Sequence, residues 1–218
     1  MDQLNHIAGI IALTMGVAWA SGINLYAAIA MLGILGISEN IVLPPGLQIL
    51  ANPPVIIAAV FMYFVEFAAD KIPGVDTGWD GIHTFIRIPA GAILAAGAVG
   101  DVNPAISLTA AIIGGGMATG AHITKAGTRV IINASPEPVS NWTASITEDI
   151  AVIGGLWAAL YHPWVFLGLL ILFIITMAWA IPKIWRGIKG IFEVIVNFFK
   201  RKKPDSSKQI EQKNINNG

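Results

Sequence analysis

Every Lys and Arg of this 218-residue chain, thirteen in all, can be placed on one side of a membrane. A helix needs about 20 apolar residues to cross the hydrocarbon core. Several stretches reach that length, and the whole pattern fits six crossings. Lys71, Arg87, Lys125, Arg129 and every base from Lys183 onward then fall at one face. The opposite face has none. That asymmetry is the positive-inside signature, so the basic face should be cytoplasmic, and six crossings put both termini there.

Composition agrees. The chain is 55% hydrophobic and 12% charged, with mean hydropathy +0.70, whereas a soluble domain carries about a quarter charged residues. Twenty-three glycines suit close helix packing in lipid. Net charge is zero, so no field argues for nucleic acid. There are no cysteines, which excludes thiolate chemistry. Met1–His6 has no basic n-region, and the apolar stretch behind it is too long for a signal peptide, so it reads as a retained span.

The first span could run from Leu4 to Gly36, too long for one straight crossing, and Ala20-Ser21-Gly22-Ile23-Asn24 marks a break inside it. The second runs from Pro54 to Asp70. Residues 75–87 read as a short interfacial helix, leaving Ile88–Val99 as a short third span or a re-entrant half-helix. The fourth covers Pro104–Ala126, the fifth Asn141–Leu160 and the sixth Trp164–Ile181. After Pro182, Ile184, Ile188, Ile191, Ile195 and Phe198 share one helical face, and Arg186, Lys189, Glu193, Asn197 and Lys200 the other. This is an amphipathic helix for the inner headgroup layer, followed by the basic run Lys200–Lys203.

Ala20-Ser21-Gly22-Ile23-Asn24-Leu25 matches Ala118-Thr119-Gly120-Ala121-His122-Ile123 in residue type. Each copy precedes a Pro-bearing loop and then a span with an acid, Glu66 or Glu148. The fold expected is all-α and polytopic: a 3+3 inverted repeat of six spans, with helices broken near Gly22 and Gly120. Its parts are residues 4–100 and 101–182, an interfacial helix at 183–203 and a disordered tail at 204–218. Inverted repeats with midplane sites at broken helices are a plan of secondary transporters.

Several runs carry a family resemblance: Gly22-Ile23-Asn24-Leu25-Tyr26, Leu43-Pro44-Pro45-Gly46-Leu47, Val65–Asp76, Ile82–Arg87, Ala126-Gly127-Thr128-Arg129 and Ser135–Trp142. Together they resemble the domain-of-unknown-function 4126 family over about residues 8–190. The resemblance implies a multi-pass protein of the bacterial inner membrane and brings no reaction. Glu66-Phe67-Ala68-Ala69-Asp70-Lys71 is also similar to the acid-x-Gly-Asp-basic signature of small cation/proton exchangers. Here the spacing is one residue longer, and no Gly precedes the Asp.

An ionisable group inside a membrane costs roughly 2.5–3.5 kcal/mol at a helix centre, so each needs a partner, a proton or a cation. Glu66, Glu148 and Asp149 are the principal candidates for ion or substrate binding, joined by Asn24 and His122 at the expected breaks. The bland alternative pairs these acids with Lys71, Lys125 or His122. Secondary candidates are Asp70, Tyr63, and the i, i+4, i+7 face of Asp76, Asp80 and His83, which Arg87 continues. Arg87, Lys125 and Arg129 are candidates for headgroups or anions. The expected function is a transporter or permease for a small solute, above all a cation, with a divalent ion or proton coupling compatible with these ligands and no other cofactor. A lipid-binding scaffold and an intramembrane lipid-modifying enzyme are the alternatives. The expected partners are membrane lipids and the solute; the composition also allows a homo-oligomer.

Overall fold

The computed structural model describes residues 1–72, 74–134 and 138–201, with some side chains near the end of the last helix left out. It is a bundle of six helices: α1 (Asp2–Ile37), α2 (Pro53–Ala69), α3 (Val75–Ala98), α4 (Pro104–Asn133), α5 (Pro138–Tyr161) and α6 (Pro163–Arg201). A 3-10 segment, Pro45–Ala51, leads into α2 at 70°. Among the described residues five helices are long and apolar enough to cross a membrane, and this bent pair makes a sixth candidate. The outer surface is apolar, with exposed Trp157, Tyr161 and Trp164 at one end of α5–α6 and exposed Trp179 and Trp185 towards the other. Along α6, at about 1.5 Å per residue, these aromatic residues stand roughly 22–32 Å apart, bracketing a hydrocarbon core of about 30 Å.

The break expected in the first span is at Asn24, whose φ of −143° and ψ of 94° are not helical. Its Oδ1 accepts from the Ala27 amide at 2.9 Å, so Asn24 is the N-cap of a second arm. The first arm lies against the others at matching levels. Trp164 Nε1 donates to Asn5 Oδ1, 2.9 Å; Gly16 packs on Ala159 and Phe166, and Gly155 on Trp19. At Gly22 there is no room for a Cβ, because Ala121 and the Ala118 carbonyl close on it. The second arm then doubles back. Gly33 packs on Leu50 and Ile56, and the backbone of Gly46 touches that of Gly97 near the end of α3. That end of α3 is also where Val99 and Ile10 line a common groove. α1 is thus a re-entrant hairpin with its tip at Asn24.

This geometry corrects the expected topology. The start of α1 sits beside the α3–α4 and α5–α6 turns. α6 runs alongside α4 in the same direction, Met177 against Gly120 and Ile184 against Gly127, so its end lies at the opposite pole. The two ends of the described chain are therefore at opposite poles, not one. The first arm of α1 and α4 run the same way, whereas corresponding spans of an inverted repeat run opposite ways. α4 is one unbroken helix through Gly120. Nor is 75–87 a separate interfacial helix, because α3 continues through Pro89. The amphipathic segment after Pro182 is likewise the continuation of α6. The tail expected to be disordered, 204–218, lies outside the described residues.

Candidate functional site

Polar residues on four helices fall at helical spacing and meet around the α1 tip. α2 presents Glu66, and Asp70 is its C-cap. α3 presents Asp76, Asp80, His83 and Arg87. α4 presents His122, Lys125, Arg129 and Asn133, and α5 presents Asn141, Ser145, Glu148 and Asp149. Three bases hold four acids. Arg87 pairs with Glu66 at 2.6 Å and Asp80 at 2.9 Å. Lys125 lies 3.1 Å from both Glu66 and Asp70, 3.5 Å from Glu148 and 3.7 Å from Asp80. Arg129 forks onto Glu148, Nη2 to Oε2 at 2.7 Å and Nε to Oε1 at 3.2 Å, and lies 3.7 Å from Asp70. Arg87, Arg129 and Glu66 are 0% exposed. The three bases placed by sequence at headgroups are thus enclosed and turned onto carboxylates.

The break in α1 takes part. Lys125 Nζ donates to the Ile23 carbonyl at 3.1 Å, at the break itself. Asn24 Nδ2 donates to Asp149 Oδ1 at 3.0 Å, and the Tyr63 hydroxyl donates to Asp149 Oδ2 at 3.3 Å. Asp149 is buried, yet no base of the described residues lies within 4.0 Å of it. Its partners are neutral.

His122 is committed at both nitrogens. Thr84 donates its hydroxyl to the Asp80 carbonyl, so its oxygen accepts from His122 Nε2 at 2.7 Å. His122 Nδ1 then accepts from Arg87 at 3.3 Å. His83 is held likewise, Nδ1 on the Trp79 carbonyl and Nε2 against the Tyr26 hydroxyl at 3.0 Å. Asp76 lies in the first turn of α3, its Oδ1 accepting from the amides of Gly74 and Thr77 and from Asn133. No three His, Asp or Glu side chains among the described residues are arranged to hold a metal ion. Among the described residues, buried oxygens of Glu66, Asp70, Asp76 and Asp80 have no hydrogen-bond partner, nor has Arg87 Nε. The acids outnumber the bases, and their oxygens are incompletely matched.

A family model for a domain of unknown function, DUF4126, matches residues 11–183, which takes in every residue of this cluster. The chain belongs to the DUF4126 family. No curated protein and no solved structure matches it.

In this family member the structure brings together Glu66, Asp70, Asp80, Arg87, His122, Lys125, Arg129 and Glu148, with Asn24, Tyr63 and Asp149 forming an adjoining group. Asp76 and His83 lie at its margin. Sequence reasoning did not single out Thr84, Ser145 or Asn141. The signal for the last two was present, since 141, 145 and 149 repeat every four residues on α5. Lys71, between α2 and α3, donates to the Phe67 carbonyl at 3.1 Å and to Ser145 Oγ at 3.3 Å. Burial pulls its pKa below the ordinary lysine value, while Asp149 and Asp70 act against that shift.

Proposed function

We propose that the chain is a proton-coupled permease for a small cation, with Asp149 as the group that exchanges proton and cation. The observation that carries this is the set of partners Asp149 has: an amide at a broken helix and a phenol, with no base of the described residues within 4.0 Å. A buried carboxylate held only by neutral donors needs a proton or a cation to neutralise it. The three-base cluster beside it supplies a fixed field, and the broken backbone at Ile23–Asn24 supplies polar groups that a continuous helix would hide. Proton coupling is favoured over a divalent ion because His122 is committed at both nitrogens and no three acidic or imidazole side chains converge. The basic pole would face the cytoplasm, with the start of α1 on the other side of the cytoplasmic membrane.

The test is flux in liposomes containing a pH-sensitive dye. A cation gradient should drive proton movement through the parent protein. Asp149→Asn should abolish it while melting as the parent does. If the parent moves no protons, or Asp149→Asn matches it, the permease reading fails and a lipid-binding scaffold becomes the better account.

A further inference from the structure

Among the described residues, α2 and α5 make little or no backbone contact with each other. Side chains bridge them, Tyr63 to Asp149 and Lys71 to Ser145. This leaves a seam in the wall of the bundle, with the base-free carboxylate at its inner end. At its outer end sits the Lys71 ammonium, in a cup of neutral groups. Its Nζ is 2.9 Å from the centroid of the Phe67 ring and 5.5 Å from that of Trp142. The Phe67 carbonyl and the Ser145 hydroxyl complete the cup. Aromatic faces, a carbonyl and a hydroxyl are a donor set for a weakly hydrated monovalent cation. Among the described residues no carboxylate lies within 4.0 Å of Lys71, so this ammonium is held by neutral groups and not by an ion pair as Arg87 and Arg129 are.

We propose that the α2–α5 seam is the entry to Asp149 and takes a primary-ammonium cation, with Lys71 as its tethered occupant. This rests on the permease reading, and it names the class of solute and the path. A free ammonium would displace Lys71, take its place over Phe67 and Trp142, and pass on to Asp149. There the Asp149 carboxyl gives up its proton as the ammonium pairs with the carboxylate, and the return of a proton to the carboxylate releases the ammonium, still charged. Lys71 excludes smaller, strongly hydrated ions, which gain less from aromatic faces than from water.

The chain has no cysteine, so one introduced thiol is the only one. Ser145→Cys is nearly isosteric and enclosed, and its reaction with a trimethylammonium methanethiosulfonate reports whether the seam opens. Adding Lys71→Ala should speed that reaction roughly tenfold, the ratio expected for removing one partly desolvated cation–π contact. Methylammonium chloride should slow it again, and sodium chloride at equal ionic strength should not. Should Ser145→Cys fail to fold, Lys71→Cys tests occupation of the cup directly, with methylammonium but not sodium protecting its thiol from the reagent. A thiol equally unreactive with and without Lys71, or equal protection by sodium, overturns the proposal. Labelling needs no gradient, so the two readings can fail separately. A closed seam with intact proton flux sinks this one alone. Protection by methylammonium without proton flux sinks only the permease.

Discussion

Arg87 holds two acids from different helices inside a membrane protein, and its removal would leave both of them to Lys125, with negative charge in excess. Breaking a buried ion pair by deleting one partner costs about 3–5 kcal/mol, because the remaining charge is left without compensation. Arg87→Met should therefore lower the thermal midpoint in detergent sharply, and adding Glu66→Gln should recover part of the loss. A melting curve unchanged in Arg87→Met would show that the pair does not hold the bundle together. Asp149 should behave differently. Its partners are neutral, so Asp149→Asn keeps the hydrogen bond to Asn24 in altered form and should leave the fold standing. This contrast separates residues that lock the core from the one assigned to exchange.

At the scale of elements, the contact between α1 and α4 depends on Gly22. Gly22→Val would drive a branched side chain into Ala121 and the Ala118 carbonyl, and overpacking of this kind typically costs about 1–3 kcal/mol. Gly9, in the same helix, has open space around it, so Gly9→Val should melt close to the parent. If both variants melt alike, the close approach does not matter. The polar stripes themselves were legible in the sequence. His122, Lys125, Arg129 and Asn133 recur at steps of three and four, as do Asp76, Asp80, His83 and Arg87. What sequence could not give was the direction each stripe faced. Bases near the end of an apolar span read naturally as headgroup anchors, and only the assembly of the four helices α2, α3, α4 and α5 turns them onto carboxylates. The break at Asn24 was legible because a small-residue run precedes a capping residue. The equivalent run at Gly120 does not break, since Ala121 and His122 offer no comparable N-cap and Met177 packs on Gly120. Pro89 and Pro182 misled the reading of helix ends, as α3 and α6 both continue through them.

For the whole molecule, the re-entrant α1 changes one feature of the topology and leaves the rest. Tags placed after Asn40, Asn103 and His162 should all be reached from one face, and tags after Gly74 and Lys203 from the other. A tag ahead of Asp2 should report with the first group. If it reports with Lys203 instead, the second arm of α1 does not return as the Gly33–Leu50 and Gly46–Gly97 contacts require. The bonds of Lys125 also set an order of assembly. Its ammonium holds the Ile23 carbonyl and Glu66 across sequence separations of 102 and 59 residues. Until α4 emerges from the ribosome, the carbonyl at the hairpin tip lacks this donor and the acid on α2 has Arg87 without Lys125. The first half of the chain must therefore wait in an unfinished state during synthesis, and α4 is the piece that closes it.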